Sequence, residues 1–549
     1  MSQSIYLSIL IDNKIDWIPD SWFDLPKLEY IGLSKNNLKK FPGSSFVNCK
    51  SLIYLGIDAN EILSLSVSNL KPFYGNDSQL VHLNVSNNAI YSISTGAFSG
   101  LIHLKVLELQ GNNISSIGAK VFHEIPELLH LILMQQQAPY KTTTVMYNAF
   151  KNLPNLQDLW LSGNSLTHFP HPALSQESFP FLRYLSQEIV HKPFEKITSL
   201  QRLFLHRNSI TNIQEDDLWL LSSLQQLYFS QNQLSNATVH PDAFRNLTSL
   251  TTLHLDFNNF HYVPLSVQGK SHLPQVQNLV LNSNKITFIV EGTFSELDTL
   301  NRLEIISNQI VAIENGAFPV TINTLYLQNN RFNFKHENQF TNLSQLSYLN
   351  LDNNFIDVVP NTSFHGLSSL TTLSLNFNKI CRILKVIFKD LTSLQTLYLS
   401  QNDIAFIEDG ALSNLPVLNR LDLNNNQLTT LPVDGDFHNK RIDRLDLRNN
   451  RITSIRKGTF INTTCSGNCE QFLRYWDFSG NRVSVIESGA FQNVQGSRSC
   501  ILRFTNNVLK HIESLAFDDV NVCQIEMNGM QLTTLVSETF RNVAVSKDL

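Results

Sequence analysis

The chain has 549 residues and a formal net charge of -5, with 41 Lys and Arg against 46 Asp and Glu. This balance argues against a nucleic acid partner, because proteins that bind nucleic acids concentrate positive charge. No apolar run approaches the roughly 20 residues of a membrane-spanning helix. The opening MSQSIYLSILIDNK lacks a basic region, a long apolar region and a cleavage site. The sequence as written therefore predicts neither a signal peptide nor a membrane anchor.

The chain repeats the pattern LxxLxLxxNxL almost from its first residues. It reads LEYIGLSKNNL at 28–38, LQQLYFSQNQL at 224–234 and LNRLDLNNNQL at 418–428. With Ile, Val or Phe allowed for Leu, the pattern occurs 19 times, mostly 22 to 26 residues apart. Weaker copies near Gln136, Leu185 and Met530 bring the prediction to about 22 turns in a single solenoid over 1–549. The repeats are irregular at about 129–200.

Each repeat predicts a short strand followed by a sharp turn. One repeat is too small to bury its own core, but stacked repeats align their leucines into continuous apolar columns and their strands into a parallel sheet. The turn leaves backbone N–H and C=O groups half-buried, and a carboxamide can both donate to and accept from them. This requirement explains much of the asparagine content, 59 residues in all.

A phenylalanine follows the asparagine in nearly every turn, as in GAFSGL, DAFRNL and GTFSEL. Side chains in equivalent positions of successive turns should stack, so we predict a structural spine on the side away from the strands. The expected members are Phe98, Phe122, Phe150, Phe244, Phe294, Phe318, Phe364, Phe388, Phe460 and Phe491.

With these motifs in place, the chain resembles the extracellular leucine-rich-repeat proteins with 24-residue, Phe-containing repeats, as in Toll-type receptor ectodomains, Slit and chondroadherin. The resemblance implies an α/β repeat fold: a curved leucine-rich-repeat solenoid with one long parallel sheet on the concave face and loops and short helical turns on the convex face. It also implies an extracellular or cell-surface protein that binds other macromolecules.

The chain departs from those relatives at its ends. Cysteine-rich caps are not seen, because the first repeat begins within five residues of Met1 and the final SETFRNVAVSKDL stops inside a repeat. These features favour a fragment or a truncated gene product, which leaves open whether the protein is secreted or anchored.

Four of the six cysteines fall in the repeats at about 461–549. Cys500 and Cys523 occupy the same position of adjacent turns, where strands lie about 4.8 Å apart, so we predict that they pair. Cys465 and Cys469 are predicted to close a local loop. Four cysteines permit three connectivities, and zinc binding through CxxxC is an alternative that no suitably spaced His pair supports.

Eight NxS/T sequons are candidate glycosylation sites. Their number is close to the chance expectation for this composition and does not by itself indicate secretion. Asn84 falls in the strand column that should face the concave side, so a glycan there would obstruct its turn and favour ligand contacts further along the chain. The sequons are Asn76, Asn84, Asn113, Asn236, Asn246, Asn342, Asn361 and Asn462.

The residue between the two strand leucines should point to the concave face. Aromatic residues there would supply desolvated contact area, and charged residues would fix the position of the bound ligand. This column therefore gives the candidate ligand contacts. Two alternatives stay open: the aromatic residues merely tile the sheet, and the aspartates pair internally with Arg420, Arg444 and Arg448. The candidates are Trp160, Phe204, Tyr228, His254, Tyr326, Tyr398, Asp422, Asp446 and Asp477.

Catalysis finds no support in the sequence. It contains no GxSxG, HExxH, P-loop or GxGxxG motif, so we expect no catalytic residue, cofactor or metal. The favoured function is an extracellular binding module, as a receptor ectodomain, adhesion protein or matrix protein, with a protein or glycoconjugate as ligand and homo-oligomers possible. The alternative is an intracellular scaffold, which reduced C-terminal cysteines would favour.

Overall fold

The computed structural model describes residues 5–7, 10–137, 143–145, 149–150, 152–167, 199–264, 273–335, 337–433, 435–438, 440–465, 474–496 and 500–545. Its contacts group the chain into a first unit, Met1–Val280, and a second unit, Leu281–Leu549. Each unit consists of short parallel strands joined by turns.

The described part of the first unit holds β1 to β15. They are β1 (Ile5–Leu7), β2 (Leu28–Gly32), β3 (Tyr54–Gly56), β4 (Ser64–Leu65), β5 (His82–Asn84), β6 (Ser92–Ile93), β7 (Val106–Glu108), β8 (Ser116–Ile117), β9 (His130–Ile132), β10 (Thr144–Val145), β11 (Asp158–Trp160), β12 (Arg202–Phe204), β13 (Gln226–Tyr228), β14 (Thr252–His254) and β15 (Asn278–Val280). One parallel ladder runs β1-β2-β3-β5-β7-β9-β11-β12-β13-β14-β15. β4 pairs with β6 and β8 with β10, and the helix α1 (Val67–Leu70) lies beside the 3-10 turns Gly43–Phe46 and Lys71–Phe73.

The second unit repeats this plan in β16 to β36. They are β16 (Phe288–Ile289), β17 (Arg302–Glu304), β18 (Ala312–Ile313), β19 (Thr324–Tyr326), β20 (Tyr348–Asn350), β21 (Thr372–Ser374), β22 (Arg382–Ile383), β23 (Thr396–Tyr398), β24 (Phe406–Ile407), β25 (Arg420–Asp422), β26 (Arg444–Asp446), β27 (Ser454–Ile455), β28 (Thr464–Cys465), β29 (Arg474–Asp477), β30 (Val485–Ile486), β31 (Gln495–Gly496), β32 (Cys500–Arg503), β33 (His511–Ile512), β34 (Asn521–Val522), β35 (Gln524–Glu526) and β36 (Ala544–Val545). Its main parallel ladder runs β17-β19-β20-β21-β23-β25-β26-β29-β32-β35. Shorter pairings on the opposite side of the turns are β16-β18, β22-β24, β27-β30-β33 and β28-β31-β34-β36.

A column of leucines forms the core of each ladder. Leu159 opposes Leu203 in the first unit and Leu397 opposes Leu421 in the second, and all four are fully buried. Most paired strands of the described residues contribute a leucine in register, and Ile31 and Trp476 take this place in β2 and β29. This arrangement confirms the leucine-rich-repeat solenoid predicted from the periodicity.

The repeated asparagines hydrogen-bond as their chemistry predicts. Asn232 donates through Nδ2 to the carbonyls of Leu205 and Phe229, each at 3.0 Å, and its Oδ1 accepts from the N–H of Ile210 at 2.9 Å. Gln136 takes the same place in its turn, donating to the Leu109 carbonyl at 2.9 Å. Each carboxamide thus joins its own turn to the preceding one.

The phenylalanine spine is also confirmed. The rings of Phe98 and Phe122 stack at 5.6 Å in the first unit, and those of Phe460 and Phe491 stack at 5.1 Å in the second. All four are fully buried. The role of these residues is therefore structural.

The disulfide of the C-terminal repeats differs from the prediction. Cys465 pairs with Cys500, so the predicted pairings of Cys500 with Cys523 and of Cys465 with Cys469 are wrong; Cys469 itself lies outside the described residues. Cys523 does sit on the turn next to Cys500, but Cys500 is fully buried whereas Cys523 is partly exposed. Gly496 is the register partner of Cys465, and a Cβ there would lie 2.9 Å from Cys500 Cβ. The missing side chain leaves room for the bridge through the interior.

Candidate ligand-binding surface

The solvent side of each main ladder is formed by the residues just before and just after the buried central residue of each strand. We call this surface the strand face. In β11 to β14 the residue after the central leucine is Trp160, Phe204, Tyr228 and His254, and these four oppose one another in register. The structure therefore brings together this part of the predicted column, which we call the aromatic row.

The four rings of the aromatic row stack on one another across the strands. Ring centroids are 4.0 Å apart between Trp160 and Phe204, 4.8 Å between Phe204 and Tyr228, and 4.6 Å between Tyr228 and His254. The interplanar angles are only 24°, 11° and 29°. Since the faces of the inner rings are covered by their neighbours, the row can present only ring edges to solvent, and Phe204 is just 9% exposed.

Apolar residues continue the row at both ends. Ile132 opposes Trp160 on β9, and Val280 opposes His254 on β15. The apolar stripe therefore crosses six neighbouring strands of the first unit, which corresponds to about 24 Å at the usual strand spacing.

Ion pairs flank the stripe on the side where the strands begin. Asp158, 3% exposed, lies between His130 Nδ1 at 2.5 Å and Arg202, whose Nε and Nη2 donate at 2.5 and 2.8 Å. These bonds raise the pKa of Arg202 above its usual value. Because both oxygens of Asp158 are engaged, this cluster fixes the edge of the stripe.

Polar side chains flank the stripe on the other side. Burial acts to raise the pKa of Asp256, but hydrogen bonds from His254 and Ser230 outweigh it and lower that pKa below its usual value. Burial lowers the pKa of His206, and Ser162 Oγ lies 3.0 Å from its Nδ1. No carboxylate of the described residues hydrogen-bonds to His206, so this Ser–His pair lacks the orienting third group of a hydrolase triad.

A shallow polar groove borders the same strands. Its volume is about 390 Å³, and apart from Leu129 its walls are amide and hydroxyl side chains, including those of Asn155, Gln157, Ser199 and Gln201. The stripe is thus an apolar band with hydrogen-bonding groups along both margins.

The second unit places its predicted aromatic residues differently. Tyr326 packs against Tyr348 at 5.0 Å and beneath the Arg302 guanidinium at 4.6 Å, while Tyr398 packs against the Arg420 guanidinium at 4.9 Å. These two predicted residues are not brought together with each other. Their rings instead support arginines on neighbouring strands.

The three aspartates predicted as contacts form an acidic row on β25, β26 and β29. Asp446 is fully buried and accepts from Arg448 at 2.9 and 2.6 Å, and Asp477 Oδ2 lies 3.9 Å from the same arginine. Asp422 accepts instead from Asn424 Nδ2 at 2.5 Å. Burial raises the pKa of Asp422, and the nearby charge of Asp446 adds to this effect. Most hydrogen-bonding capacity of the row is thus used within the second unit.

A second outward column, formed by the residue just before each central residue, was not among the predicted ligand contacts, although Arg420 and Arg444 were considered as partners of the aspartates. It includes Arg202 in the first unit, and Tyr348, Arg420, Arg444 and Tyr475 in the second. The signal was present, because side chains on both sides of a central strand residue point to the same face. Both columns must be read together to predict the surface.

The sequons are distributed over the turns, and none of their asparagines is buried. Asn84 lies on the strand face of β5, three ladder steps from Trp160. Asn236 already uses its carboxamide, accepting from the His261 N–H at 2.7 Å and donating to the Tyr262 carbonyl at 2.9 Å. A glycan on Asn84 would be attached two ladder steps from Ile132, the nearer end of the stripe.

Within the described residues, no group of three or more His, Cys, Asp and Glu side chains could hold a metal ion. In the same residues, no helix has the length and apolar character needed to cross a membrane.

Comparison with known families gives matches along most of the chain. A leucine rich repeat family matches residues 9–62, 78–137, 187–234, 274–319, 321–380 and 370–428. A BspA type leucine rich repeat region matches residues 467–548, and a further leucine rich repeat matches 155–176.

Similar proteins include podocan of Mus musculus, which is 26% identical over 366 residues, covering 63% of this chain and 54% of podocan. Lumican of Gallus gallus is 29% identical over 291 residues, covering 52% of this chain and 66% of lumican. Human Toll-like receptor 3 is 26% identical over 246 residues, covering 44% of this chain and 25% of the receptor. The chain thus spans about half the length of podocan.

Two solved structures share the fold. One is the glycosylated Toll–Spatzle complex of Drosophila, with a TM-score of 0.63 at 20% identity over 87% of this chain and 61% of that chain. The other is a leucine-rich-repeat protein of Leptospira interrogans, with a TM-score of 0.53 at 24% identity over 79% of this chain and 93% of that chain.

Proposed function

This chain belongs to the leucine-rich-repeat family, and we propose that it is an extracellular, non-catalytic binding protein whose strand face docks a protein ligand. The role is that of a receptor ectodomain, an adhesion protein or a matrix protein. The observation that carries this proposal is the stacked aromatic row with its apolar extensions in the first unit.

The row has the chemistry of a protein-docking surface. Large aromatic side chains held in place by their neighbours lose little conformational freedom on binding, and an apolar centre with a polar rim is the usual anatomy of an interface. Trp160 and Tyr228 provide anchors of the kind that dominate binding energy.

The ring orientation favours a polypeptide over a glycan. Aromatic edges carry partial positive charge, whereas the faces are the electron-rich surfaces. A sugar would pack on a face, and the inner faces of this row are occupied by neighbouring rings. Peptide carbonyls and apolar side chains suit the exposed edges.

Within the second unit we propose Asp422, Tyr326 and Tyr398 as secondary contacts, because all three remain partly exposed. We assign Asp446 and Asp477 to holding Arg448, since their carboxylates are buried.

The Cys465–Cys500 disulfide supports extracellular placement, because such bonds persist in oxidising compartments. Non-reducing peptide mapping of natively produced protein tests this placement. The bridge and glycans on several sequons are expected together. Free thiols with unmodified asparagines throughout would favour the intracellular scaffold instead.

The binding role is tested with the full chain against a displayed panel of secreted proteins and receptor ectodomains. Trp160→Ala and Tyr228→Ala remove anchors from the aromatic row. Tyr262→Ala is a matched control, since Tyr262 is 59% exposed in the turn after β14. For the tightest ligand, either row substitution should raise Kd at least tenfold, which is about 1.4 kcal/mol, and the control should leave Kd unchanged. Equal affinities for all three variants would contradict the proposal.

A further inference from the structure

Two arginines on the strand face of the second unit lack the carboxylate partners that other arginines there have. Arg302 pairs with Glu304 at 2.7 Å and Arg503 pairs with Glu526 at 3.0 Å. Arg420 and Arg444 form no ion pair with any carboxylate of the described residues. We call these two residues the arginine pair.

The arginine pair is held between two tyrosines. Arg420 and Arg444 oppose each other in register on β25 and β26. The Arg420 guanidinium packs on the Tyr398 ring at 4.9 Å, and the Arg444 guanidinium packs on the Tyr475 ring at 4.7 Å. Stacking on a ring fixes the plane of a guanidinium and leaves the N–H groups at its edges free to donate.

The pair carries an unsatisfied donor. Arg420 Nε is buried and has no hydrogen-bond partner, and a buried donor without a partner costs about 1 to 3 kcal/mol. Two like charges opposite each other on adjacent strands are also destabilising. An oxyanion that accepts from the outer N–H groups of both guanidiniums would relieve the repulsion between them.

The aspartates beside the pair do not fill this role. Asp422 accepts from the side chain of Asn424 at 2.5 Å and from its backbone N–H at 3.2 Å. Asp446 accepts both side-chain bonds of Arg448 and is fully buried. These carboxylates are held by other donors, and Asp422 acts on Arg444 through its charge without forming an ion pair with it.

We propose that Arg420 and Arg444 bind one carboxylate of an acidic peptide segment. A planar carboxylate matches the donor fork of a guanidinium, and the flanking Tyr398 and Tyr475 rings suit neighbouring apolar side chains. The acidic row leaves the site with little net positive charge, which suits a ligand that carries one carboxylate better than a polyanionic sulfated glycan. The site belongs to the second unit and does not depend on the aromatic row.

Short phage-displayed peptides are first selected for binding to the full chain. Peptides that also bind an Arg420→Met/Arg444→Met variant are then removed, so the remaining sequences are those that need the arginine pair. The matched control is Arg302→Gln, because Arg302 occupies the same column and packs on Tyr326 at 4.6 Å but already has a carboxylate partner. Thermal unfolding of each variant checks that it folds. An Arg420→Lys/Arg444→Lys variant keeps the charge but not the fork.

Surviving peptides should contain Asp or Glu, and neutralising that residue to Asn or Gln should weaken binding at least tenfold. Arg302→Gln should leave binding unchanged, and the lysine variant should bind more weakly than the natural chain. The proposal is overturned if no peptide survives depletion, or if neutralised peptides bind equally well. The proposal is also overturned, in favour of a sulfated glycan, if the natural chain binds a heparin-derived oligosaccharide and the Arg420→Met/Arg444→Met variant does not.

Discussion

The strand faces of the two units use the same backbone for different chemistry. In the first unit, Trp160 and its neighbours stack face to face and form an apolar stripe. In the second unit, Tyr398 and Tyr475 support guanidiniums, and Asp446 is buried beneath Arg448. The comparison shows that a leucine and asparagine scaffold fixes the position of surface columns without fixing their chemistry.

We expect the largest loss of stability from removing the disulfide, which lies in the second unit. Cys465→Ser/Cys500→Ser opens a loop with a sequence separation of 35 residues, which should lower the free energy of unfolding by about 4 kcal/mol. Urea unfolding measures the change. The rate of amide hydrogen exchange should rise in β28 to β35 and stay unchanged in β11 to β14. An equal rise in both regions would contradict the expectation that the disulfide stabilises only its own region.

The shared scaffold predicts equal effects from equivalent asparagines. Asn232→Ala and Asn450→Ala each remove donation to three carbonyls and acceptance from one N–H. Each should lower the free energy of unfolding by about 3 kcal/mol, because buried backbone groups lose their partners. Urea titration measures both changes. If only one of the two substitutions lowered the free energy of unfolding, the asparagine ladder would not be equivalent in the two units.

Lys440 gives the second unit a pH dependence of its own. Burial lowers the pKa of Lys440 from 10.5 to about 8, and its ammonium donates to the Leu412 carbonyl. Between these two values the unfolded chain binds more protons than the folded chain, so stability should rise with pH in that window. Relative to Lys440→Met, the natural chain should gain about 2 kcal/mol between pH 8 and 10. Parallel stability curves for the two proteins would refute the assignment.

The smallest effect concerns two phenylalanines in left-handed backbone conformation. Phe257 in the first unit and Phe377 in the second both have φ of 54° and are 51% and 57% exposed. Asparagine is common at this place in other turns, including Asn353 and Asn425. Phe257→Asn and Phe377→Asn should each stabilise the chain by about 1 kcal/mol, measured as a rise in Tm. A fall in Tm would mean that these rings make contacts worth more than the strain.

The fold could be predicted from sequence because its determinants recur in most turns. The leucine column, the asparagine ladder and the phenylalanine spine each follow from one residue per repeat, so single exceptions such as Gln136 did not hide the pattern. The aromatic row could be placed by the same register.

What could not be predicted depended on contacts between turns that are not periodic. Cys500 and Cys523 do lie on adjacent turns, but the choice of Cys465 as partner rests on burial and on the space at Gly496. The burial of Asp446 depends on Arg448, two residues further along the same turn. The sequence offered Arg448 as one of three possible partners of the aspartates, but spacing alone could neither choose it nor choose Cys465 as the partner of Cys500.

Hydroxyl-radical footprinting of the full chain with its tightest displayed protein ligand tests most directly whether the aromatic row is the docking surface. Oxidation of Trp160 and Tyr228 should fall on binding, while oxidation of Tyr262 should stay unchanged. Unchanged oxidation of both row residues, with protection elsewhere on the chain, would contradict docking on this face.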